Sequence, residues 1–183
     1  MDLFALVISA LSLLVAGVGT YQANKRSREA LAESRKAVED ARWFALQEAV
    51  QRLIGFDPTA EPVGERLANL RIASIALVDQ LEGWDGIDSW LEAERTLGAT
   101  IGRQVMEAAK PGDTVDQRVN NLEPLMSWAH ALSNNLRHFR SIGHNVDALA
   151  KLQDNAEQHV VAIHERHGWE LPPSTNPRVQ PLD

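Results

Sequence analysis

The sequence predicts an all-α protein: an N-terminal transmembrane helix continuing into a long stalk helix, then an up-and-down bundle of about four helices. Three observations predict it. Leu3 to Tyr21 is an apolar run without a charged side chain. A stripe of small residues keeps helical phase from that run into the charged segment after it. Beyond Leu46, apolar residues recur at three- and four-residue steps between Gly- and Pro-bearing turns, and no alternating strand pattern of useful length occurs.

The first element, residues 1–21, reads as a membrane anchor. A cleaved export signal wants Lys or Arg before its apolar core and a small-x-small site after it. Only Met1 and Asp2 precede this core, and Lys25, Arg26 and Arg28 follow it. That order suits one uncleaved span with its N-terminus outside and its C-terminus inside, because positive charge stays cytoplasmic. Leu3 to Tyr21 rises about 28 Å as a helix, close to the hydrocarbon thickness. Tyr21 suits the interfacial aromatic belt.

The second element, residues 22–45, is a charged stalk helix continuous with the first. Ala5, Ser9, Ser12, Ala16, Gly19, Ala23, Ser27, Ala30, Ser34, Ala37, Ala41 and Ala45 fall three or four residues apart. Their mean step is about 3.6 residues, the period of a straight helix. They form one face, and no proline or turn dipeptide interrupts it before Leu53. Small residues let helix backbones approach closely. The expectation is a packing face, coiled-coil-like between copies of the chain or against its own bundle, with a solitary spacer helix as the rival reading. Trp43 and Phe44 begin the large-hydrophobic part of this helix and are expected to enter the bundle.

Residues 46–168 read as the bundle. Gly55-Phe56-Asp57-Pro58 breaks the first helix. The second runs from about Pro62 to Leu81; Ile72, Ile75 and Val78 give it a second apolar face, so a central position is expected. The third runs from about Ile87 to Ala109, with Trp90, Leu91, Leu97, Ile101, Val105 and Ala108 inward. Val115 to Phe139 keeps helical phase, but Pro124 removes a backbone donor inside it, so a break near Asn121 is favoured over one kinked helix. Asn145 is a plausible N-cap for the fifth helix, and Gly168 stops it. Residues 169–183 read as a flexible Pro-rich tail.

Charge and composition narrow the function. The net charge is −7, yet Gln22 to Lys36 carries five basic residues against Glu29 and Glu33. The acidic remainder argues against nucleic acid, whose binding rests on Lys and Arg neutralising phosphates. The absence of cysteine excludes disulfides, thiol catalysis and Cys-ligated zinc. No phosphate-binding Gly-rich loop or nucleophile elbow occurs, so no catalytic residue and no cofactor is assigned. His159, His164 and His167 cluster on the fifth helix, but neither H-E-x-x-H nor E-x-x-H spacing is present, and no metal ligand is assigned. Arg137 and Arg140 suit a helix C-terminus, and Asp79, Glu82, Asp85 and Asp88 suit a solvated turn. Trp90 and Trp128 are in phase with apolar neighbours, whereas an exposed Trp84 or Trp169 would mark a partner surface.

The stretch from Val7 to Ala41, SLLVAG followed by YQANKRSREALAESRKA, resembles uncharacterised bacterial single-span membrane proteins in which an Ala/Ser/Glu/Lys-rich helix follows the span. The resemblance implies a bacterial inner membrane with the C-terminal domain in the cytoplasm, and implies no activity. The function expected is therefore non-enzymatic: a membrane-anchored helical protein that forms a homo-oligomer or docks a protein partner through its bundle. An oligomeric pore-forming effector in stress or phage defence is the first alternative. A metal-binding bundle is the second.

Overall fold

The computed structural model describes residues 3–54 and 63–172, and the side chains of these apart from 3–21 and 23. The described residues form five helices and no strand: α1 (Leu3–Gln51), α2 (Val63–Val78), α3 (Ile87–Ala108), α4 (Val115–Ile142) and α5 (Val146–His167). The chain divides into two compact units, Met1–Asp40 and Ala41–Asp183.

The first unit holds the part of α1 from Leu3 to Asp40. Its side chains from Asn24 to Val38 are exposed, and Glu39 and Asp40 are half-buried. Lys25 and Glu29 pair at 3.9 Å with both side chains largely in solvent, a contact contributing about 0.2–0.5 kcal/mol. Among the described residues no helix is long and apolar enough to cross a membrane. The expected span at residues 1–21 lies outside the described side chains, as do Ala5, Ser9, Ser12, Ala16, Gly19 and Ala23.

In the second unit, α1 buries Trp43, Leu46, Ala49, Val50 and Leu53. Ala41 and Ala45 are exposed, so the face of α1 that meets the core is a different one from the small-residue stripe. Phe44 is also outside the core, at 59% exposure, with the Arg140 guanidinium 4.3 Å from its ring centre. The Pro-bearing break at residues 55–58 falls outside the described residues.

The helix at the centre is α3, and the expectation of a central α2 is corrected. Ile72 and Ile75 are 66% and 46% exposed, whereas α3 buries residues around most of its circumference and packs on α2, α4 and α5. Two glycines make that density possible. Gly102 faces Val63 and Leu67 of α2, and Gly98 lies beneath the Trp128 ring, which a Cβ would overlap.

The expected break near Asn121 is also corrected: α4 is a single helix with Pro124 inside it. Leu122, Leu125, Trp128, Leu132, Leu136 and Phe139 form one buried stripe across the proline. Full burial of a leucine contributes about 1.5–3 kcal/mol, and an interior proline costs about 3 kcal/mol. Several buried side chains on each side therefore outweigh one missing hydrogen bond. The helix starts on a capping box, in which Thr114 Oγ1 accepts from Gln117 N at 3.3 Å and Gln117 Oε1 accepts from Thr114 N at 2.8 Å.

Asn145 caps α5 by accepting from Ala148 N at 3.0 Å. Gly168 ends it at φ 66°, a left-handed conformation that favours glycine. Of the expected tail, residues 173–183 lie outside the described residues. Trp169 stacks on His167 with ring centres 4.4 Å apart, and the Arg103 guanidinium lies 3.9 Å from its ring centre. At the opposite end of α3, Trp84 meets Trp43 at 5.7 Å and His144 at 5.6 Å. This joins the α2–α3 turn to α1 and to the α4–α5 turn. Trp84 and Trp169 are thus half-buried, and neither is a free surface tryptophan.

Candidate functional site

One carboxylate lies in phase with the apolar residues of α3. Glu94 sits four residues after Trp90 and three before Leu97, and the helical period turns it inward. It is buried, at 7% exposure. Trp90 Nε1 donates to its Oε1 at 3.0 Å. Trp128 Nε1, from α4, donates to its Oε2 at 2.8 Å. Burial pushes the carboxyl above its ordinary range, and the two indole hydrogen bonds and the nearby His159 only partly oppose that shift.

Glu94 opens onto a groove. The helices α4 and α5 both pack on α3, and between them lies a cavity of about 490 Å³. Its floor is Glu94, Leu97 and Ile101; Trp128 and Ala131 line it on α4, and Leu152, Ala156 and Ile163 on α5. Its other polar side chains include Gln104, Asn135 and Asn155, and its charged or titratable ones besides Glu94 are His159 and Arg166 of α5. Both of the latter are exposed, and His159 Nδ1 bonds the Asn155 carbonyl at 2.7 Å. A volume between about 300 and 1,000 Å³ with apolar walls and few convergent polar groups suits a small organic ligand. The clamped carboxyl supplies a fixed acceptor there.

No family model, curated protein or solved structure matches this chain.

The three α5 histidines have separate roles. His159 lines the groove. His164 is buried, with Nδ1 2.7 Å from the Glu170 carbonyl and Nε2 3.2 Å from Thr100 Oγ1. A carbonyl only accepts, so Nδ1 donates to Glu170, and Thr100 Oγ1 also donates to the Thr96 carbonyl at 3.0 Å. His167 stacks on Trp169. Among the described residues no three His, Asp or Glu side chains are grouped to hold a metal.

Of the small-residue stripe, Ser27, Ala30, Ser34, Ala37, Ala41 and Ala45 are exposed. The basic cluster Lys25, Arg26 and Arg28 is exposed as well. Neither group lines the groove. Glu94 was the functional candidate that sequence reasoning missed. Its signal was a charged residue in register with Trp90, Leu97 and Ile101 on an otherwise apolar face.

Proposed function

We propose that this chain is a non-enzymatic, membrane-anchored binding protein whose helical bundle takes a small apolar molecule in the α3–α4–α5 groove. The groove carries the reading, because it combines apolar walls, adequate volume and one buried, doubly hydrogen-bonded carboxyl. Rigid indole donors on both carboxyl oxygens hold a charge in place, which is the requirement of recognition. The anchor is supported by the uncharged sequence from Leu3 to Tyr21 and the Lys25, Arg26 and Arg28 cluster behind it. In this reading the span runs N-out and C-in through a bacterial inner membrane, with the bundle on the cytoplasmic face.

The test uses the full chain in lipid nanodiscs, with empty nanodiscs as the reference. Naphthylethanol, a neutral aryl probe, is expected to quench tryptophan fluorescence saturably. Ala131→Trp fills the groove from an exposed position and is expected to abolish that binding while leaving helix content intact. Binding unaltered by Ala131→Trp would contradict the groove, and a chain released from membranes by carbonate would contradict the anchor.

A further inference from the structure

We infer that the groove selects a lipophilic amine, its protonated nitrogen seated at Glu94 and its apolar body along Leu97, Ile101 and the α4 and α5 walls. The inference rests on the groove being a binding site and names the ligand class. Charge complementarity carries it. The Glu94 carboxylate is the one negative side chain in the groove lining and lies in its floor. Each of its oxygens accepts one indole N–H, and an ionised carboxylate has about four acceptor positions, so capacity remains for a ligand donor.

His159 and Arg166 are the opposing positive groups facing this space, both from α5. No titratable side chain lines it from α4, and Glu94 is the one that does so from α3. His159 and Arg166 are exposed, so water and salt screen them, whereas the buried carboxylate acts through a lower effective dielectric. An ammonium in the floor therefore gains more from Glu94 than it loses to the rim. It also offsets the desolvation that burial imposes on the carboxylate. A neutral isostere fills the same apolar walls without either gain, and an anion meets Glu94 directly.

The experiment compares naphthylethylamine with naphthylethanol on the full chain in nanodiscs near neutral pH. The amine is expected to bind tighter by about tenfold or more, the ratio that one charge-assisted hydrogen bond supplies. Acidification is expected to weaken the amine and spare the alcohol, as Glu94 takes up a proton. Glu94→Gln, checked for native circular dichroism, is expected to bring the two affinities together. Equal affinities in the unaltered chain, both abolished by Ala131→Trp, would overturn the amine assignment and leave the groove as a binding site. Saturable binding of neither probe would overturn both readings. Because the amine-to-alcohol ratio is read on the unaltered chain, an unfolded Glu94→Gln does not rescue the proposal.

Discussion

Glu94 shows how one buried polar residue sets both a stability term and a site. Burial raises its native pKa above the ordinary carboxylate value, despite two indole donors. Between those two values the native state binds more protons than the unfolded state, so this group's contribution to stability falls as pH rises. Glu94→Gln removes the titration but sets an amide N–H against one indole N–H, donor to donor, at a cost of about 1–3 kcal/mol. Urea denaturation across pH in mild detergent is therefore expected to find Glu94→Gln less stable than the parent in acid, with the gap narrowing as pH rises from the ordinary carboxylate range upward. A gap that widens would mean that the fold stabilises the ionised carboxylate. The position was legible in the sequence as a charge on an apolar phase. Its second donor was not, because Trp128 is brought to Glu94 only by the packing of α4 on α3, over Gly98.

At the level of elements, local patterns located helices well and ranked them poorly. The Asn145 cap and the Gly168 stop emerged where the local chemistry put them. The centrality of α2 did not, since an apolar face at Ile72 and Ile75 states that burial would be favourable, not that a neighbour exists to supply it. Pro124 misled for a related reason: a local penalty of fixed size was set against tertiary burial that sequence cannot sum. Pro124→Ala restores the donor toward the Asn120 carbonyl and frees the unfolded chain, effects of about 3 and 1 kcal/mol in opposite directions. The variant is expected to stabilise the full chain by about 2 kcal/mol with unchanged helix content, measured by urea denaturation. Destabilisation would mean that the proline ring, which also lines the groove, packs there more effectively than the hydrogen bond it forfeits.

For the whole molecule, the all-α class of the described residues followed from periodicity and turn chemistry. The groove did not, because it arises from two helices separated by a shared neighbour, and Pro124, Trp128, Leu152 and Ile163 converge only in three dimensions. The small-residue stripe, by contrast, was obvious in the sequence, yet its described members remain exposed. The described residues of the second unit form a helical bundle with a polar-floored cavity. The central claim is that this cavity is where a ligand binds. Photoaffinity labelling of the full chain in nanodiscs, with a diazirine-bearing aryl probe and peptide mapping, tests that claim most directly. The account predicts label on α3 around Leu97 and Ile101 and on the facing residues of α4 and α5, displaced by excess naphthylethanol. Label confined to other surfaces, or undiminished by that competitor, would contradict it.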